Sequence, residues 1–164
     1  MNLIANGLLA LHRHPEARAT FEAAVHRGDR DEIAAFVEEA VRYDGPVSRA
    51  LNRWAIRDVT VGGRTIRRGE PVIGVLAAAN RDPERFDEPD AFVPGRPEAK
   101  AHLGFGKGIH YCLGAPLARL EGEIALATFA RALPDWRLEL PEGGVPTYRP
   151  QPSFRSIEAL EARW

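Results

Sequence analysis

Leu3, Ile4, Leu8, Leu9 and Leu11 recur at helical spacing, so the chain opens in an apolar helix rather than a polar leader. His14-Pro15 interrupts that pattern, and Pro15 followed by Glu16 suits the start of a second helix running to about His26 and ending at Gly28. A third helix follows, with Asp29 or Asp31 as its cap. Its Ile33, Phe36, Val37, Ala40 and Val41 form an apolar stripe ending near Tyr43, ahead of Gly45-Pro46. From Arg53 the period shortens to that of strands. Asp58-Val59-Thr60-Val61 and Arg64-Thr65-Ile66 flank Gly62-Gly63 and predict a hairpin, with Pro71 to Val75 as a further strand of the same small sheet. Recurrent prolines at 83, 89, 94 and 97, set among charges, predict an irregular meander between Asn80 and Leu103. A last helix starts between Leu113 and Pro116 and carries Leu117, Leu120, Ile124, Leu126, Phe129, Ala130 and Leu133 up to Pro134. It is apolar on most faces and predicts burial on several sides. The tail alternates strand-like pieces, Trp136 to Leu140 and Ile157 to Trp164, with Gly143-Gly144 and prolines.

Composition narrows the classes of function. The 164 residues hold one domain or one part of a larger one. Lys plus Arg total 22 against 23 for Asp plus Glu, which argues against a nucleic-acid partner. The apolar runs are too short to span a bilayer, and the opening lacks the plan of a signal peptide, so a cytoplasmic chain without membrane contact is expected. One cysteine, Cys112, excludes an internal disulfide and any multi-cysteine metal site.

The chemistry concentrates just before the last helix, in Phe105-Gly106-Lys107-Gly108-Ile109-His110-Tyr111-Cys112-Leu113-Gly114. Glycines at 104, 106 and 108 permit a tight backbone. A cysteine at a helix start meets unpaired N–H groups and the positive dipole end, which favours a thiolate able to ligate a metal or attack an electrophile. The competing reading is a buried structural thiol. His12, His14, His26 and His102 show no ligand spacing and are taken as solvated or structural.

The string Phe-x-x-Gly-x-His-x-Cys-x-Gly, formed by Phe105, Gly108, His110, Cys112 and Gly114, resembles the haem-binding loop of the cytochrome P450 monooxygenases, of the soluble bacterial type. The resemblance makes Cys112 the proximal thiolate ligand of the iron of haem b (iron protoporphyrin IX), with Phe105, Gly106 and Gly114 as further cofactor-binding residues of the loop. Glu39-Ala40-Val41-Arg42 is similar to the family's Glu-x-x-Arg motif, and Phe92-Val93-Pro94-Gly95-Arg96 to its meander. Glu39, Arg42 and Arg96 are thereby implied to form one buried network. The nearby Pro83-Glu84-Arg85-Phe86 matches the meander by letter, but lies too far from Cys112. Arg53 and His110 fall at positions that hydrogen-bond the haem propionates. Asn80-Arg81-Asp82-Pro83 and the closing residues through Trp164 also resemble the bacterial branch. Ser48 to Leu51 and Phe154 to Ser156 fall where relatives line the substrate pocket.

These matches imply a mainly α fold with small β-sheets (α+β), the C-terminal part of the cytochrome P450 fold with its distal half absent. Residues 1–164 would form one partial domain: the end of the long distal helix, the Glu-x-x-Arg helix, a small sheet, meander, ligand loop, proximal helix and C-terminal β pieces. The family's proton-relaying acid and alcohol pair would lie upstream of Asn2. The implied activity is oxygen insertion from O2 into a small apolar organic substrate. Electrons would come ultimately from NAD(P)H through a ferredoxin or flavin reductase partner docking near Lys107 and Arg119. The alternatives are a non-catalytic haem-binding or degenerate fragment and an interaction remnant without haem; a chain so short is expected to be marginally stable, with exposed apolar surface.

Overall fold

Leu3, Asn6, Gly7 and Ala10 are buried along one side of α1 (Asn2–Arg13), with Leu9 and Leu11 buried at its two margins. The structure is a computed structural model and describes residues 2–164. Helix α2 (Pro15–Arg27) begins on its proline, buries Phe21, Ala24 and Val25, and closes on Gly28 at φ 71°. Helix α3 (Arg30–Asp44) is capped by Asp29, whose Oδ1 accepts the Glu32 N–H at 3.1 Å.

Helix α5 (Ala115–Ala132) packs against α1, α2 and α3 and completes the core, in which Leu9, Phe36, Val37, Val41, Leu126 and Trp136 are buried. Its approach to α1 depends on Gly7. A Cβ at that position would lie 2.8 Å from Leu126 Cδ1, so only a bare backbone lets the two helices come this close. Arg18 on α2 lays its guanidinium 4.2 Å from the Trp136 ring and donates to the Trp136 carbonyl at 3.0 Å, pinning the chain where it leaves α5.

Among the described residues there are three two-stranded antiparallel sheets, two of them outside this core. Strands β2 (Val59–Val61) and β3 (Arg64–Ile66) form the expected hairpin across Gly62-Gly63. The segment after it departs from expectation. Strand β4 (Pro71–Val72) does not extend the hairpin but pairs with β1 (Arg53–Trp54), Arg53 opposite Val72, and the chain then turns into the short helix α4 (Leu76–Ala79). Proline at the head of β4 has no N–H for a ladder, which restricts it to this short edge pairing. Strands β5 (Arg137–Glu139) and β6 (Glu161–Arg163) join the two ends of the tail and bury Leu138. Val47 bridges Phe154, so the segments 48–51 and 154–156 are drawn together.

Helix α5 also differs from its sequence reading. Leu117, Leu120 and Ile124 are exposed at 60%, 44% and 58%, so the helix buries one side and presents an apolar stripe on the other. Among the described residues no helix is long and apolar enough to cross a membrane.

Candidate functional site

Glu39 and Arg42, one turn apart on α3, are both fully buried and paired fork to fork: Arg42 Nε donates to Glu39 Oε2 at 2.8 Å and Nη2 to Oε1 at 2.9 Å. The rest of the Arg42 guanidinium donates to backbone carbonyls of Asn80 (2.8 Å), Pro89 (2.9 Å) and Ala91 (2.9 Å). Arg96 adds its Nε to Glu39 Oε1 at 3.1 Å and binds the carbonyls of Asp87, Glu88 and Ala91. Glu39 Oε1 also takes the Val93 N–H at 2.8 Å. The meander has few ladder bonds of its own, and these charged side chains supply its order. Arg85 of the competing match is exposed and outside the network, while Phe86 lies buried beneath Arg42.

The meander hands the chain to the cysteine loop through Asn80. This buried side chain accepts the Leu103 N–H at 2.7 Å while its carbonyl serves Arg42. Gly106 then reverses the backbone at φ 74°, and any Cβ there would press on the His110 carbonyl at 3.1 Å. The loop closes when the Cys112 N–H donates to the Phe105 carbonyl at 2.8 Å. Cys112 does not sit on the helix itself. Helix α5 has Gly114 as its N-cap and starts at Ala115, whose N–H is taken by the Cys112 carbonyl at 3.1 Å. The cysteine therefore stands one turn ahead of the helix, and it is exposed rather than buried.

A second ionic cluster, missed by sequence reasoning, braces this loop from behind. Glu38 accepts from Arg119 through both oxygens and from His102 Nε2 at 3.2 Å. Arg119 also donates to the Tyr111 hydroxyl at 2.9 Å and lies 4.5 Å from the Phe105 ring centre. Burial raises the Glu38 pKa, but hydrogen bonds from His102 and Arg119 outweigh it and hold the carboxyl at about 2. The same pairing raises Arg119. Arg119, expected as a docking cation, is half-buried and paired with Glu38. Lys107 is exposed and lines a cleft of about 490 Å³ with Arg85, Lys100, Asp82 and Tyr111. The one signal for the second cluster was the acidic pair Glu38-Glu39, because neighbours on a helix point about 100° apart and serve different partners.

On the open side the loop offers a bare sulfur. A Cβ at Gly114 would lie 3.9 Å from Cys112 Sγ, so the glycine leaves one flank of the thiol uncovered. Ile109 and Leu113 beside it are each 98% exposed, which is costly for aliphatic side chains in water. His110 is exposed. Arg53, half-buried on β1, donates only to the neighbouring carbonyls of Leu51 and Asn52. The structure places no hydrogen bond between Arg53 and the loop. A flat apolar macrocycle carrying a metal and two carboxylates suits this donor set: one soft sulfur ligand, an apolar surround, and uncommitted donors for acid groups. Among the described residues no group of three or more His, Cys, Asp and Glu side chains is placed to hold a metal ion.

Comparison with known proteins agrees with this geometry. The family model described as Cytochrome P450 matches residues 4–158. The chain is 43% identical to the cytochrome P450 monooxygenase PikC of Streptomyces venezuelae over 100% of its own length and 38% of that protein's. It is 39% identical to the polyketide biosynthesis cytochrome P450 PksS of Bacillus subtilis, covering 98% of this chain and 38% of that one. A crystal structure of P450BioI in complex with a hexadec-9Z-enoic acid ligated acyl carrier protein superposes with a TM-score of 0.88 at 40% identity, over 99% of this chain and 40% of that chain. The chain therefore spans about two fifths of the relatives it matches.

Proposed function

The chain belongs to the cytochrome P450 family, and from that premise we propose that it is the haem-ligating part of a monooxygenase, with Cys112 as the thiolate ligand. When bound, haem b supplies the reductive activation of O2 and the insertion of one oxygen atom into an organic substrate. The observation that carries the reading is the loop itself, in which the Phe105 carbonyl fixes the Cys112 backbone, Gly114 leaves the exposed sulfur uncovered, and Ile109 and Leu113 of the same loop are exposed.

Each residue then has a stated task. Cys112 donates charge through sulfur; Gly106 and Phe105 set its backbone; Ile109 and Leu113 exclude water from the sulfur's surroundings once covered. His110 and Arg53 offset the desolvation of carboxylates. Glu39, Arg42 and Arg96 hold the meander against which the loop is built. The segments 48–51 and 154–156 face a small apolar organic substrate, and a ferredoxin or flavin reductase docks at the cleft edged by Lys107, Lys100 and Arg85, while Arg119 pairs with Glu38 and lines a separate groove.

The test is reconstitution of the chain with haem, followed by reduction and CO. A red-shifted, thiolate-type Soret band is expected for the wild type and its loss for Cys112→Ser; an unchanged band in Cys112→Ser refutes the ligand assignment. In the same preparation Lys107→Glu should slow reduction by the partner several-fold at low salt, with the difference closing at high salt. Equal rates at every salt concentration rule out that docking cleft.

A further inference from the structure

Both arms of the cysteine loop converge on one carboxylate that belongs to neither the loop nor the Glu39 network. On the entry arm, His102 Nδ1 accepts the Gly104 N–H at 3.0 Å, which leaves Nε2 as the donor to Glu38 Oε2 at 3.2 Å. On the exit arm, Arg119 grips Glu38 with Nε and Nη2 and passes Nη1 to the Tyr111 hydroxyl at 2.9 Å, one residue before Cys112. Between the arms the Phe105 ring lies 5.7 Å from His102 and 4.5 Å from Arg119, and its carbonyl receives the Cys112 N–H. The two arms meet at Glu38, whose side chain is only 8% exposed. There is little room for rearrangement at the root, because a Cβ at Gly104 would overlap Val41 Cγ1.

We propose that Glu38 is a positioning residue for the Cys112 sulfur: through His102 it fixes the entry arm, through Arg119 the exit arm, and so it sets the direction and donor strength with which the thiolate meets the metal. The proposal rests on the reading of Cys112 as the haem ligand. It assigns to the Glu38 cluster a role separate from that of Glu39, which orders the meander and makes no hydrogen bond to residues 102–112. Neutralising Glu38 leaves the Arg119 guanidinium without its fork partner, and the first bonds to loosen are those Arg119 and His102 make to the loop.

Hydrogen exchange on the haem-free chain reads the loop directly. In Glu38→Gln the amides of Gly104 and Cys112 should exchange about tenfold faster, while those of Phe36 and Leu126 in the core keep their wild-type rates. Tyr111→Phe should release Cys112 without affecting Gly104, and it serves as the milder probe should Glu38→Gln fail to fold. In the haem-loaded chain both variants should shift the reduction potential and raise the share of CO complex with a thiol-type rather than thiolate-type band. Unchanged loop amides, or a rise shared equally by core and loop, overturns the proposal, as does an unmoved potential. A wild-type chain that gives no thiolate-type band refutes the haem-ligand reading alone, and the exchange rates still decide whether Glu38 holds the loop.

Discussion

Glu38 and Glu39 are adjacent in sequence, similar in burial and different in what they hold. Glu39 is enclosed by two arginines and an amide, whereas Glu38 shares Arg119 with a histidine and stands nearer to solvent. The folded Glu38 carboxyl titrates near 2, below its ordinary value of 4.5, because the hydrogen bonds it accepts outweigh burial. A depressed carboxylate contributes stability that is complete above its unfolded pKa and is lost as pH falls through the folded one. The window is therefore from about pH 4.5 down to about 2. Urea midpoints measured across that window should fall more steeply for the wild type than for Glu38→Gln, the two curves converging at the acid end. Parallel curves would mean that the carboxylate carries no pH-linked stability. The triad of Glu39, Arg42 and Arg96 could be read in the sequence because each residue sits inside a recognisable string. Glu38, His102 and Arg119 could not, since their partnership joins positions 38, 102 and 119 through space, and the adjacent acidic pair Glu38-Glu39 is the one local mark it leaves.

At the scale of elements, the three opening helices and α5 were legible because apolar spacing and end signals agree: Pro15 starts α2, Gly28 stops it, and Asp29 caps α3. Pairing of the short strands was not. Two residues of β4 carry no periodicity, and whether they join β3 or β1 is settled by the course of the intervening chain. The exposed side of α5 escaped for a related reason, since an all-round apolar helix states its wish for burial but not whether every face finds a partner. The α1–α5 crossing is the element contact most open to test. Gly7→Ala places a methyl 2.8 Å from Leu126 Cδ1, and overpacking of this kind costs about 1–3 kcal/mol. Leu126→Ala alone should cost about 2–5 kcal/mol, because the side chain is fully buried. Combined, the two should cost less than their sum, since the truncated Leu126 makes room for the new methyl. Strict additivity in chemical denaturation would show that the helices do not meet at this point.

Across the whole molecule the apolar surface and the sulfur belong to one energetic question. Leu113, Leu117, Leu120 and Ile124 form a stripe at helical spacing, 98%, 60%, 44% and 58% exposed, that continues from the cysteine loop along α5. Such a surface favours binding of flat apolar molecules in general, so haem uptake alone would not identify the ligand. Linkage separates the two contributions. A group that binds the folded chain alone stabilises it by about 2.7 kcal/mol at a hundredfold excess over its Kd, which for a chain of this size raises Tm by about 5–10 °C. The wild type should show that rise as haem is titrated in. Gly7→Ala should start from a lower Tm and gain the same increment, because its damage lies in the core and not at the loop. Cys112→Ser should keep the wild-type starting Tm, the side chain being exposed, and lose most of the increment. A full increment in Cys112→Ser would mean that the apolar stripe holds the haem by itself, and would remove Cys112 from the site.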